Sequence, residues 1–89
     1  MIKTSTTISN KLGLHARASA KLTKLAGSFS CDVFMSRGDR RINAKSIMGV
    51  MWLAAAQGTP VTVRVDGEDE AAALEAVTAL FERRFDEDN

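Results

Sequence analysis

The sequence holds a single histidine, His15, in the stretch Gly13-Leu14-His15-Ala16-Arg17, directly before an amphipathic segment. An imidazole is a nucleophile near pH 7, because an ordinary value of about 6.5 leaves much of it unprotonated. Phosphorylation of a ring nitrogen gives a phosphoramidate, which is readily transferred again. If a helix begins here, its unpaired N–H groups and positive dipole end can receive oxyanions. Arg17 adds a planar fork of donors suited to phosphoryl oxygens. The grip of such a set is moderate: a helix terminus contributes about 0.3–1 kcal/mol to a nearby anion, up to about 2 in good geometry. About 1.4 kcal/mol is a factor of ten in equilibrium, so a group held this way can still be passed on.

Other chemistries fit less well. A metal site needs several ligands, and the sequence has one histidine and one cysteine. Spacing does not exclude a Ser-His-Asp triad, but there is no nucleophile elbow and little room for a substrate pocket. No cofactor-binding motif stands out. Residue chemistry alone leaves two readings of His15 open, a purely structural histidine and a phosphoryl acceptor.

The bulk properties set the frame. The 89 residues are 45% hydrophobic and 26% charged, as expected for one globular domain spanning residues 1–89. A chain of this length buries about 60–65% of its unfolded surface and so forms one modest core. Thr4 to Asn10 lacks the apolar run of a secretory signal. The most apolar run, Ile47 to Ala56, is far short of the roughly 20 residues that span a bilayer. These features, with a lone Cys31 expected to be a small core residue, imply a cytoplasmic protein without membrane insertion. Net charge is +1, yet residues 1–45 carry nine Lys/Arg against two Asp/Glu and residues 46–89 carry three against nine. Folding can cancel much of that field. Otherwise His15, Arg17, Lys21 and Lys24 form a basic patch for an acidic partner or an anion. Nucleic acid is a poor candidate, since the patch is small and contains no stacking aromatic residue.

The elements that must position His15 are legible in the periodicity. Ile2 to Ile8 reads as a short strand, and Asn10-Lys11-Leu12-Gly13 as a loop. From Ala16 the apolar positions Ala18, Leu22, Leu25, Ala26 and Phe29 define an amphipathic helix ended by Gly27. Cys31 to Ser36, a turn at Arg37-Gly38-Asp39, and Arg40 to Asn43 form a hairpin. The Arg-Gly-Asp turn is explained by turn chemistry and carries no adhesive reading. Ser46 is a favourable N-cap for the apolar segment Ile47 to Ala56, in which Gly49 weakens the helix and makes a short one the expectation. Val61, Val63 and Val65 alternate with Thr62, Arg64 and Asp66 as the clearest strand. Asp69 and Glu70 open the last helix, where acids suit the dipole. Leu74, Val77, Phe81 and Phe85 form its apolar face. The Asp86-Glu87-Asp88-Asn89 tail is expected to fray. The order is βαββαβα, an α+β layer with helices covering one face of a sheet.

Two motifs together go further. Gly13-Leu14-His15-Ala16-Arg17 and, some thirty residues later, Ala44-Lys45-Ser46-Ile47-Met48-Gly49-Val50-Met51 resemble HPr, the histidine-containing phosphocarrier of the bacterial phosphoenolpyruvate-dependent phosphotransferase system. The likeness extends over essentially the whole chain, including Gln57-Gly58-Thr59 and Gly67-Glu68-Asp69-Glu70-Ala71. The resemblance implies an open-faced β-sandwich, a four-stranded antiparallel sheet with three helices on one face. It implies that His15 takes a phosphoryl group at Nδ1 from enzyme I and hands it to an EIIA domain, with Arg17 stabilising the charge. The chain would be a stoichiometric carrier rather than an enzyme, and a monomer. Ser46-Ile47-Met48-Gly49 looks like the branch in which that serine is phosphorylated by an HPr kinase/phosphorylase.

Ala16, Ala20, Lys24, Ile47, Met48 and Met51 are the expected partner-binding residues, since an exposed Met-rich surface suits several partners. Trp52 is expected to be half-buried support. There are departures from the family pattern: Ala18 stands where many relatives have proline, and Leu12 where some have a polar residue. The ending Ala79-Leu80-Phe81 with Phe85-Asp86-Glu87-Asp88 is similar to NPr, the nitrogen-branch paralogue. The readings carried forward are a phosphocarrier for sugar uptake and its regulation, a nitrogen-branch carrier, and a regulatory module controlled through Ser46.

Overall fold

The alternating run around Val61, Val63 and Val65 forms an inner strand of one antiparallel sheet, and the other elements assemble against it. The structure, a computed structural model, describes residues 1–87. Its elements are β1 (Ile2–Thr7), α1 (Ala16–Gly27), β2 (Asp32–Arg37), β3 (Arg40–Asn43), α2 (Ile47–Leu53), β4 (Pro60–Asp66) and α3 (Glu70–Glu82), followed by a short 3₁₀ turn at Arg84–Asp86. The sheet order is β1-β4-β2-β3, with Val63 opposite Thr4 on one side and Met35 on the other. This is the βαββαβα open-faced sandwich that the resemblance implies.

Period 2 on the strands and period 3.6 on the helices place the apolar residues between the layers. Val33, Met35, Ile42, Val61, Val63 and Val65 meet Ala18, Leu22, Ala26, Val50, Leu53, Ala73, Val77 and Phe81, all buried. Cys31 is buried with them, and burial pushes its thiol up from the ordinary value. Asp69, at the position before α3, does not cap that helix with its side chain. Its carboxylate instead accepts the N–H groups of Ser30 and Cys31, each at 2.8 Å, and ties the α1–β2 connection to α3.

Three expectations are corrected. Strand β2 begins at Asp32 and runs through Arg37, not from Cys31 to Ser36. Helix α2 is short, as Gly49 suggested, but it stops at Leu53 rather than filling the apolar segment to Ala56, because Ala54 turns into the left-handed region at φ 55° and breaks the hydrogen-bond ladder. The last helix ends before Phe85: Arg84, Phe85 and Asp86 all have positive φ, between 56° and 61°. That reversal swings Phe85 beneath the fold, fully buried and edge-on to Phe81 with ring centroids 5.1 Å apart. The chain at 86–87 then runs back over α1 instead of fraying. The Asp88-Asn89 end of the expected frayed tail lies outside the described residues.

Phe85 is therefore the anchor of the C-terminal turn. Replacing a buried phenylalanine by alanine costs about 3–5 kcal/mol, while release of three left-handed residues returns part of that. Phe85→Ala is expected to lower unfolding free energy by about 3 kcal/mol. Urea denaturation checks this; a loss below about 1 kcal/mol would mean that the aromatic anchor contributes little.

Candidate functional site

The loop before α1 is set by a close approach at Gly13. Its φ is +67°, and a Cβ there would stand 2.6 Å from the Ala55 carbonyl oxygen and 2.9 Å from the Ala56 Cα. Only glycine fits such a spot without moving backbone. Leu14 N–H donates to that same Ala55 oxygen at 2.9 Å, so the loop is pinned to the segment following α2. Asn10, fully buried, closes the turn from inside: its Nδ2 donates to the Gly13 carbonyl at 2.8 Å.

This turn delivers His15 to the N-cap of α1 in an extended conformation, φ −74° and ψ 179°. Its carbonyl accepts the Ser19 N–H at 2.8 Å, while its side chain makes no cap bond and is left free for chemistry. The N–H groups of Ala16, Arg17 and Ala18 precede the first intrahelical bond and form the unpaired donor set of the helix start. Arg17 is exposed, and among the described residues it makes no hydrogen bond or ion pair. His15 itself is half-buried, its side chain 28% exposed.

The ring has one occupied edge. His15 Nε2 lies 2.5 Å from Glu87 Oε2, and the other carboxylate oxygen, Oε1, accepts from Asn10 Nδ2 at 3.1 Å. Among the described residues Nδ1 makes no hydrogen bond. Burial works to raise the Glu87 pKa, but hydrogen bonds from Asn10 and His15 and the charges of His15 and Lys21 outweigh it, so the carboxyl sits below its ordinary value.

Lys21 also holds this segment, its Nζ donating to the Phe85 carbonyl at 2.8 Å and standing 3.8 Å from Asp86. The expected basic patch of His15, Arg17, Lys21 and Lys24 is thereby reduced. Two of its members are drawn into contacts with the acidic C-terminal end, and Arg17 and Lys24 remain outward.

Asn10 and Glu87 were absent from the sequence-based site. Asn10 lies in a stretch whose composition reads only as loop, and Glu87 in one that reads as a frayed acidic tail. The available signal was Phe85, a large apolar residue two positions before Glu87, which demands burial and so pulls its neighbours onto the fold.

The second motif is arranged as an exposed apolar face. Ser46 caps α2, its Oγ accepting the Gly49 N–H at 3.2 Å, and remains exposed. Val50 and Leu53 point inward, while Ile47, Met48, Met51 and Trp52 are 38%, 73%, 41% and 59% exposed. Trp52 is thus part of the open face rather than half-buried support. The Arg40 guanidinium sits 5.0 Å from its ring centroid and donates to its carbonyl at 3.2 Å. Leu12, 70% exposed, extends the apolar surface into the loop before His15. Ala16, Ala20 and Lys24, one ridge of α1 at i, i+4 and i+8, are all exposed. Among the described residues no group of acids, His and Cys could hold a metal ion, and no helix is long and apolar enough to cross a membrane.

Residues 2–83 match the family described as the PTS HPr component phosphorylation site. A phosphocarrier protein HPr of Cupriavidus necator is 60% identical over 87 residues, 98% of each chain. A phosphocarrier protein NPr of Shewanella violacea is 42% identical over 81 residues, 91% of this chain and 89% of its own. The crystal structure of HPr-C-His from Thermoanaerobacter tengcongensis is similar with a TM-score of 0.96 at 38% identity, covering 100% of both chains.

The lowered Glu87 value gives the C-terminal contact a definite pH dependence. A carboxyl whose folded value is depressed stabilises the fold above its unfolded value, about 4.3 for Glu, and loses that stabilisation as pH falls through the folded value. The Glu87 contacts are expected to be intact at about pH 4.5 and to release at lower pH. NMR signals of the Asn10 side-chain amide report this, and release already at about pH 6 would contradict the depressed value.

Proposed function

The chain belongs to the HPr phosphocarrier family of the phosphotransferase system, and from that premise we propose that His15 Nδ1 is its phosphoryl acceptor. The observation that carries the proposal is a half-exposed imidazole at the start of α1 whose Nε2 is engaged and whose Nδ1 is free. The oxyanions of an incoming phosphoryl group then meet the amides of Ala16, Arg17 and Ala18 and the guanidinium of Arg17. The donor is enzyme I and the acceptor an EIIA domain. The protein acts as a monomeric, stoichiometric carrier in the cytoplasm, with no cofactor and no turnover of its own. With His15 half-exposed at the surface, each partner completes the transfer geometry.

The role is sugar uptake and its regulation; the identity of 60% to a protein named HPr against 42% to one named NPr supports it over the nitrogen branch. Partner docking uses Ala16, Ala20 and Lys24 of α1 with Ile47, Met48 and Met51 of α2. A large exposed Met-rich face is suited to repeated, reversible association with unlike surfaces.

A second, compatible reading concerns Ser46. It is exposed at the N-terminus of α2, next to Ile47 and Met48 of that docking face, where a kinase of the HPr kinase/phosphorylase type can reach it. A phosphate there adds about two negative charges that the helix dipole tolerates. The fold survives, but the docking face turns anionic, and the modification regulates partner choice.

Three experiments test the reading. Incubated with phosphoenolpyruvate and enzyme I, the protein is expected to gain one acid-labile phosphoryl group, and His15→Ala none. Arg17→Ala is expected to retain its fold and slow transfer on the order of a hundredfold, as for loss of one preorganised donor at a developing charge. Continued labelling of His15→Ala sinks the assignment, and unchanged kinetics remove Arg17 from it. Met48→Glu is expected to raise KM for transfer about tenfold or more, the effect of a single central interface residue, with circular dichroism unchanged. An unaltered KM places docking elsewhere.

A further inference from the structure

Glu87 approaches His15 from the side of the ring opposite the nitrogen proposed to take the phosphoryl group, and this fixes what the ring can do. An ionised carboxylate only accepts hydrogen bonds. A separation of 2.5 Å between Glu87 Oε2 and His15 Nε2 therefore requires the hydrogen to be on Nε2. In a neutral ring that leaves the lone pair on Nδ1.

The carboxylate is itself bracketed. Asn10 Nδ2 donates to Oε1 at 3.1 Å and to the Gly13 carbonyl at 2.8 Å, and a flipped amide would set its oxygen against two acceptors, so the network fixes its orientation. Phe85 and the Lys21 bond to its carbonyl hold the backbone just before Glu87.

We propose that Glu87 is a positioning residue for phosphoryl transfer: it keeps a hydrogen on His15 Nε2 throughout the carrier cycle, presenting the Nδ1 lone pair beforehand and balancing the ring charge afterwards. The inference rests on His15 being the acceptor. When Nδ1 attacks, the Nδ1–P bond forms and the bond from phosphorus to the donor's phosphohistidine nitrogen breaks, its electron pair staying with the donor ring. The His15 ring then carries the phosphoryl group on Nδ1 and hydrogen on Nε2, a cation facing the Glu87 carboxylate. No proton is released or taken up. Passing the phosphoryl group to the next acceptor reverses these changes and returns the neutral ring in the same tautomer, ready for another cycle.

The charged surroundings agree with this assignment of roles. Arg17 lies on the helix-start side, Lys21 and Asp86 pair with one another at the tail, Lys11 is exposed in the preceding loop, and α2 contains no charged residue. Glu87 is the one carboxylate among the described residues in contact with the ring.

The test uses Glu87→Gln, which keeps shape and hydrogen-bonding capacity but not charge, and Glu87→Ala. Nitrogen-15 NMR of the unphosphorylated wild type at about pH 8, where an ordinary imidazole is neutral, is expected to show hydrogen on Nε2 alone. Glu87→Ala is expected to show mixed tautomers. In single-turnover transfer from phosphorylated enzyme I, both variants are expected to lose about 10–100-fold in maximal rate, the loss typical of removing a group that orients a functional histidine. KM of Glu87→Gln is expected to stay at the wild-type value, and its thermal unfolding to remain cooperative, shifted down only by the lost carboxylate contribution. Wild-type phosphorylation with unchanged rates in both variants, or identical ring spectra in wild type and Glu87→Ala, overturns the role of Glu87 and leaves His15 as acceptor. A wild type that takes no phosphoryl group overturns both.

Discussion

The close approach at Gly13 is the constraint on which the site depends. The loop before α1 lies so near the segment after α2 that a Cβ would stand 2.6 Å from the Ala55 oxygen. With that space left empty, Leu14 can donate to the same oxygen at 2.9 Å and the chain turns into α1 with His15 as its N-cap. One backbone contact thus joins the two motifs, which lie some thirty residues apart in sequence. It sets the start of α1, with its unpaired amides, beside the end of α2, with its exposed apolar face. A bulkier residue at position 13 would separate the proposed acceptor histidine from the exposed apolar face.

Periodicity carried most of the fold because each element buries a face in one shared core. Val61, Val63 and Val65 alternate cleanly, and Leu22 and Ala26 repeat at helical spacing, so strand and helix were legible from residue types alone. The errors share a cause. Ala54 and Arg84 to Asp86 adopt left-handed φ with side chains that give no warning of it, since the usual marker for that region is glycine. The helix spacing from Phe81 to Phe85 suits one more helical turn, and tertiary burial of Phe85 against Phe81 overrode it. His15 and Arg17 were legible because their chemistry is local. Glu87 was not, because its partners are 72 and 77 residues away in sequence and only the reversal at Arg84 brings it to them.

That reversal sets burial against backbone strain. Three non-glycine residues in the left-handed region cost about 1–2 kcal/mol each. Burial of Phe85 is worth about 3 kcal/mol, and the Lys21 bond to its carbonyl adds about 1.5. The bonds of Glu87 to Asn10 and His15 and of Asp86 to Arg83 add to the burial side, so the latch that carries Glu87 is held closed against its backbone strain. Helix α1 and its N-terminal amides are fixed separately, in the core through Leu22 and Ala26.

The same latch limits how tightly an anion is held. Without it, Lys21 would be a further cation near the start of α1, adding to Arg17 and the three free amides. In the folded chain Lys21 is committed to Phe85 and Asp86, and Glu87 brings negative charge to the far edge of the imidazole. A further preorganised cation contributing about 1.4 kcal/mol would deepen binding tenfold, and a carrier gains nothing from depth that the next acceptor must overcome. The acidic end of the chain therefore acts on the proposed phosphoryl site in two opposed ways. It commits the Lys21 cation to the tail and sets negative charge against the ring, which favours a group that is well oriented and weakly retained.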